Sequence, residues 1–357
     1  MGARLHLRGV VLPDGEHREL WVVDGLIRTE RVRDADTVVS GGWLLPGLVD
    51  AHCHVGLDAG GAVPAAVAEE QALTDRAAGA LLLRDAGSPA DTRWMDARDD
   101  LPRVIRAGRH IARPERYLRN YADEVEPESL VDAVERQVAA GDGWVKLVGD
   151  WIDRSVGDLS PLWPAAALTE AITRAHELGA RVTAHVFGEE ALPDLLAAGI
   201  DGIEHGTGLG EDTIAVMAER QVALVPTLVQ LDNFESFAAA GEARFPTYAR
   251  HMRSLYARRL GVFAAARDAG VPIYAGTDAG GFLPHGLIGR EMGLLGQFCS
   301  ADYALGAGSW RAREWLGRPG LSEGDPADLV VFDADPRQDL AVLRSPARVM
   351  LRGRLVG

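Results

Sequence analysis

The sequence predicts an α/β protein: a (β/α)8 TIM barrel with a small β-sandwich domain formed by both termini. Eight apolar, strand-like runs alternate with helix-like stretches through the middle of the chain. Both ends carry short alternating strands bounded by turns. The 357 residues exceed the roughly 250 that such a barrel takes, leaving enough for a second small unit. Hydrophobic side chains make up 47% of the chain and charged ones 25%, a balance that fits a folded globular protein and argues against disorder.

Residues 1–42 alternate apolar runs with turns: LHLRGVVL, the Pro13-Asp14-Gly15 turn, ELWVVDGLIRTERV and TVVS. Residues 320–357 behave likewise, with ADLVVFDAD, ARVMLRG and RLVG. Period-two alternation closed by Pro, Asp and Gly signals strands and hairpins. Two such segments flanking one α/β middle are expected to meet as a composite sandwich, because chain termini often lie close together. Residues 43–319 are then the barrel. Its strand candidates are WLLPGLVDAH, GALLLRDAG, RVIRAG, GWVKLVGD, ARVTAHVFG, DGIEHG, VALVPTL and VPIYAGTDAG. Eight parallel strands are what a closed barrel needs. Helix candidates are Glu128 to Ala140, Ala165 to Leu178, Glu189 to Ala198 and Tyr248 to Ala269. The excursion after the seventh strand, VQLDNFESFAAAGEARFPTYARHMRSLY, is longer than one crossover helix requires. It is either a cover over the site or an extra packed helix.

The formal net charge is −15, from 37 basic and 52 acidic side chains. That field repels polyanions, so nucleic acid and anionic membrane surfaces are poor partners and a small-molecule substrate is expected. Association of copies into a homo-oligomer is compatible with the sequence. Cys53 and Cys299, far apart in a long chain, read as free thiols of a reducing cytoplasm. The N-terminal run is broken by charges, Pro13 and Gly15, unlike a signal peptide. No stretch approaches the roughly eighteen apolar residues of a membrane span.

The strongest local signal is Pro46-Gly47-Leu48-Val49-Asp50-Ala51-His52-Cys53-His54, where the first barrel strand should end. Side chains at i and i+2 of a strand face the same way, so His52 and His54 can aim two imidazoles at one point while Cys53 faces oppositely. Such a pair supplies two metal ligands. His185 closes ARVTAHVFG and His205 closes DGIEHG, both at the strand ends where barrel enzymes place their chemistry. Asp278, in the GTDAGG run that ends the eighth strand, can ligate metal and accept a proton from water. Asp50 and Glu204 flank these positions with alternate orientation, which suits supporting roles behind the ligands.

Lys146 interrupts the apolar strand GWVKLVG. A protonated ammonium cannot bind metal, but desolvation favours the neutral amine, which can add carbon dioxide. The resulting carbamate offers two anionic oxygens. The bland alternative is a lysine whose head escapes from the strand end to solvent.

Taken in order, PGLVDAHCH, Lys146, the AH ending at 185, the EHG at 205 and the GTDAGG around 278 resemble the metal-ligand set of the amidohydrolase superfamily. The chain is most similar to its imidazolonepropionase-related branch, which includes the Xaa-Pro dipeptidases (prolidases). The resemblance runs nearly the length of the chain, to the closing GDPADLVVFDADP. It implies two divalent metal ions, zinc foremost. His52, His54 and Asp278 would bind one, His185 and His205 the other, and Lys146, as N6-carboxylysine, would bridge both. It further implies a bridging hydroxide that attacks a carbonyl, with Asp278 as base and then acid and His205 in the catalytic group. The implied activity is hydrolysis of an amide or peptide-like C–N bond, as in a dipeptidase.

Two other readings stay open. One is a mononuclear cyclic amidohydrolase or deaminase, which uses a single metal and no bridging lysine. The other is a metal-bound barrel that binds a small molecule without hydrolysing it. Substrate contacts are sought in HIARPERYLRNYADEVEPE, which offers Tyr117, Arg119 and Tyr121, and in the Pro-His-Gly segment, which offers His285. An arginine there could pair with a substrate carboxylate, or lie solvated. Trp151 and Trp163 could line an apolar pocket or simply pack. RPERYLRNY and GDWIDRSVGD are bulkier and more charged than the small-residue segments usual in the branch, which weakens any transfer of dipeptide specificity.

Overall fold

Parallel strands covered on both faces read as continuous apolar runs, and the parallel strands of this chain do so. In the computed structural model, which describes residues 3–356, every residue of Leu48–Cys53, Ala80–Asp85 and Trp144–Val148 is buried. Parallel pairing joins Leu48–Cys53 to Ala80–Asp85 and that strand to Arg103–Arg106. It continues from Ile111–Ala112 through Trp144–Val148, Arg181–Val186 and Gly202–His205 to Ala223–Val225. The last of the eight runs makes only single bridges, Leu224 to Ile273 and Cys53 to Ala279, both parallel. Those two bridges return the series to its first strand. Glycine permits this close return. A Cβ on Gly276 would lie 2.7 Å from the His52 Cβ, nearer than non-bonded carbons approach. Gly280, at φ +97°, would place one 2.5 Å from the His54 carbonyl oxygen.

The helices fall close to where apolar spacing puts them: Leu130–Ala140, Ala165–Glu177, Leu192–Ala197 and Pro246–Asp268. Pro246 opens the longest of these, where a residue without an N–H leaves no helical hydrogen bond unmade. The long excursion contains Leu228–Leu231, Phe234–Gly241 and this helix, so it packs as helices and also contributes Gln230 and Phe237 to the wall of a cavity. No described helix is long and apolar enough to cross a membrane.

The two ends of the chain meet. Leu329–Phe332 pairs antiparallel with Asp36–Pro46, Leu329 opposite Pro46 and Phe332 opposite Trp43. The result is one seven-stranded sheet built from Arg4–Val11, Glu16–Val23, Leu26–Arg28 and Asp36–Pro46 at one end and three strands at the other. The N- and C-terminal strands bond edge to edge, so both ends of the chain share one hydrogen-bonded sheet. Its apolar face, including Leu7, Leu20, Ile27, Leu44, Leu329 and Met350, forms a cluster distinct from the main core. Asp36–Pro46 runs across residue 43, so the chain passes from this sheet into Leu48–Cys53 without a linker.

A hairpin of Asp150–Asp153 and Asp158–Pro161 follows the Lys146 strand. His251 on the long helix ties it down, with Nδ1 2.9 Å from Asp158 Oδ1 and Nε2 2.8 Å from Glu189 Oε2. The hydrogen bond to Glu189 and the bond and charge of Asp158 raise the His251 pKa to about 9 against the penalty of burial. A histidine raised in the fold adds stability that is complete below its unfolded value of 6.5 and is lost as pH climbs through about 9. The gap in urea midpoint between the parent and His251→Ala is therefore expected to be widest below about pH 6 and to shrink toward about pH 10. A gap that stays constant across that range would show that His251 acts through packing alone.

Candidate metal centre

His52 and His54, two apart at the end of Leu48–Cys53, do converge. Their Nε2 atoms lie 3.2 Å apart. Asp278 Oδ1 sits 2.8 Å from His54 Nε2 and 3.1 Å from His52 Nε2. The tautomers follow from the opposite ring atoms. His54 Nδ1 is 2.7 Å from the carbonyl oxygen of Gly87, which can only accept, so Nδ1 carries the proton. His52 Nδ1 is 2.7 Å from Glu204 Oε2. Burial alone would raise the Glu204 pKa, but Arg84, His52 and Lys146 outweigh it and hold the carboxyl well below its ordinary range. Glu204 is therefore an acceptor, and His52 Nδ1 donates. Two imidazole Nε2 atoms and a carboxylate oxygen thus face one another, and a donor set of imidazole nitrogen and carboxylate oxygen suits a divalent metal.

Glu204 is fully buried and compensated on every side. Arg84 donates to its Oε1 through Nη2, as does the Thr183 hydroxyl. Arg84 Nε donates to the Ala51 carbonyl at 2.7 Å, and its guanidinium lies 4.6 Å from the centroid of the Trp144 ring. Asp50 plays a parallel part on the other side. It accepts from the Thr277 hydroxyl at 2.6 Å and from the His52 backbone N–H at 3.1 Å, so it anchors the turn that presents Asp278. Burial and the Asp75 charge raise its pKa to about 7.

His205 and Asp278 both have left-handed backbones, with φ +66° and +60°. Non-glycine residues rarely adopt this conformation, and it concentrates where function requires it. Thr227, at φ +48°, places its hydroxyl 2.7 Å from His205 Nδ1. One ligand atom each from His52, His205 and Asp278 lie within 4.8 Å of one another. The His185 and His205 ring centroids are 4.7 Å apart. His185 Nε2 is buried without a hydrogen-bond partner, a costly state unless another group completes it. Burial drives the His185 pKa well below its ordinary value and that of His205 to about 3, so both rings are neutral and able to ligate. Lys146 is 1% exposed and does not escape to solvent. Burial, partly opposed by Glu204 and Asp278, lowers its pKa to about 8, which favours the neutral amine.

Beside these groups is a cavity touched by His54, His185 and Asp278. Of the expected substrate contacts, Tyr117 and Tyr121 line it. The Tyr121 hydroxyl donates to the Asp58 carbonyl at 2.9 Å, and burial raises the Tyr117 pKa well above its usual value. Arg119 is exposed and lies outside the cavity wall. His285 also lies outside that wall: its Nδ1 pairs with Asp75 at 2.7 Å, because the Pro284 turn directs it toward the Ala65–Ala77 helix. Trp151 lines the cavity, whereas Trp163 is buried in the core and donates Nε1 to the Val148 carbonyl.

Sequence reasoning missed His110. It is buried, neither ring nitrogen has a partner, and its ring centroid is 4.9 Å from that of His54 and 5.3 Å from that of Tyr117. Its position just past the RVIRAG run, at the same strand-end level as the other histidines, was the available signal. Phe187, Phe237, Phe282 and Gln230, which complete the wall, carried none, since apolar residues in helices and loops read as packing.

Residues 43–356 match the Amidohydrolase family. An uncharacterised protein of Mycobacterium tuberculosis is 60% identical over 356 residues, spanning 99% of this chain and 96% of that one. Among solved structures, a Xaa-Pro dipeptidase with methionine bound in its active site superposes with TM-score 0.82 at 21% identity, covering 99% of this chain and 100% of the other. Ochratoxinase of Aspergillus niger superposes with TM-score 0.81 at 18% identity, covering 99% and 95%. At such identities the two structures speak to the fold, a mixed α/β architecture of the TIM-barrel-like kind.

Glu204→Gln keeps the side-chain shape but leaves the buried Arg84 charge unpaired. It is expected to cost about 3–5 kcal/mol of stability and to weaken cation binding about 10–100-fold. Urea denaturation and competition with a chromophoric chelator measure the two. Parent-like values in both would mean that Glu204 neither compensates Arg84 nor orients His52.

Proposed function

The chain belongs to the amidohydrolase family, and on that premise we propose that it is a metal-dependent hydrolase cleaving an amide or peptide-like C–N bond of a small molecule. The observation that carries this reading is the meeting of His52 Nε2, His54 Nε2 and Asp278 Oδ1 within 3.2 Å, with both opposite ring nitrogens committed as donors. We read the eight successive parallel runs as a closed (β/α)8 barrel with this cluster at its C-terminal mouth.

His52, His54 and Asp278 would hold one cation, His185 and His205 a second, and Lys146 would contribute to both once carboxylated. Carboxylation needs only the neutral amine: the nitrogen adds carbon dioxide and releases one proton, and burial of Lys146 favours that amine. Zinc heads the candidates for this donor set. Divalent cations supply Lewis-acid polarisation of a carbonyl and lower the pKa of water. Asp278 is the carboxylate of this set. It would take the proton of the attacking water and pass it to the leaving nitrogen. Arg84, Glu204 and Asp50 fix the rings and the carboxylate in place. The aromatic cavity holds the substrate and limits the access of bulk water.

A one-cation enzyme is the second reading, favoured by the closeness of His52, His205 and Asp278. Metal content separates the two. Protein stripped with a chelator and reloaded with zinc is expected to retain about two ions per chain, and Lys146→Ala about one. Lys146→Ala should also lose about 10²-fold or more in kcat and regain part of it when a short carboxylic acid is added. One ion per chain in the parent, with Lys146→Ala unaffected, would support the mononuclear enzyme. Asp278→Asn should lower kcat on a panel of small amides by about 10²–10⁴-fold. Parent-like turnover in this variant would remove Asp278 from proton transfer.

A further inference from the structure

The cavity over the metal centre is walled by Tyr117, Tyr121, Trp151, Phe187, Phe237 and Phe282. These rings are packed against one another, with centroids 4.8 Å apart for Tyr117 and Trp151 and 6.3 Å apart for Phe237 and Phe282. No lysine or arginine lines the cavity among the described residues. The arginines in reach are already committed. Arg116 donates to Asp153 at 3.0 Å and to the Ser160 hydroxyl at 2.9 Å. Arg109 donates to the Tyr121 carbonyl at 2.8 Å and the Asn120 carbonyl at 3.1 Å. Arg119, the one arginine the sequence offered for a substrate carboxylate, is exposed outside the wall. Asp278 is the one carboxylate of the wall among the described residues, and the protein as a whole carries a net charge of −15. Neutral polar contacts are present. Gln230 lines the cavity, and its side-chain oxygen accepts from Asn233 at 2.7 Å, which leaves its NH2 donors available.

Beyond the cations proposed at its base, a substrate carboxylate against this wall would lose its hydration with no side-chain cation to replace the water, whereas a flat apolar ring would meet aromatic faces and edges. We infer that the substrate is an uncharged amide bearing an aromatic group, bound without recognition of a free carboxylate. The inference rests on the hydrolase reading above and narrows it away from dipeptides. In the reaction, water gives its hydroxyl to the acyl carbon and a proton to the nitrogen as the C–N bond breaks, so the products are a carboxylic acid and an amine.

The test uses the zinc-reconstituted full chain and a matched pair that differs only by the α-carboxylate: N-(2-phenylethyl)acetamide and N-acetyl-phenylalanine. Binding is read by calorimetry where turnover is absent, and kcat/KM where it is present. The neutral amide is expected to be favoured by at least about tenfold. Phe282→Arg, at a position 53% exposed at the mouth, should narrow that gap by at least about threefold by improving the acid. Equal or better use of N-acetyl-phenylalanine by the parent, or binding of neither compound at millimolar concentration, would overturn the inference. Absence of hydrolysis across neutral and acidic amides, with the binding preference intact, would count against the hydrolase reading and leave the substrate class standing.

Discussion

Everything at this cluster of strand ends depends on one buried chain of charge: Arg84 to Glu204 to the His52 imidazole. Arg84 and Glu204 come from different strands and are both fully buried. Neither would be tolerated alone, because an isolated charge in such surroundings costs several kcal/mol. Together they satisfy each other and deliver a carboxylate oxygen to His52 Nδ1. That contact sets the tautomer and turns the Nε2 lone pair inward. The Gly87 carbonyl does the same for His54 by a shorter route. The proposed ligands are thus oriented by protein groups behind them.

The same ordering appears in the backbone. His205, Thr227 and Asp278 are all left-handed, although none is glycine. Each sits where a strand ends and the chain turns away, and each is held there by contacts on both sides. Asp278 N–H donates to the His52 carbonyl at 2.7 Å, and the Asp50–Thr277 pair pins the preceding residue. Strain of this sort persists only when the surroundings over-determine it. Here they do, and the result is that the carboxylate and ring meet the first-strand histidines at hydrogen-bonding distance.

Much of this was legible in the sequence, for identifiable reasons. Period-two spacing placed His52 and His54 on one face, strand-end position selected His185 and His205, and an apolar strand made Lys146 conspicuous. The eight runs and four helices were readable because apolar periodicity is local. The pairing of Leu329–Phe332 with Asp36–Pro46 is not local, so the alternation at both ends was legible while the single sheet they build was not. His285 shows a different limit. Its Pro-His-Gly setting suggested a substrate contact, but its partner Asp75 lies 210 residues away and no local signal points to it. His110 and the phenylalanines of the cavity wall were missed because what distinguishes them is position in space, not residue type or spacing.

The central claim is that four histidine nitrogens and one carboxylate are poised as lone-pair donors around cations. Anomalous diffraction from crystals of the zinc-loaded protein tests it most directly. The account predicts one peak among His52, His54 and Asp278 and another beside His185 and His205, with branched density extending from Lys146 toward both. Crystals grown with excess zinc that show no anomalous peak near these five side chains, or that show His52 and His54 bonded only to each other and to Asp278, would contradict it.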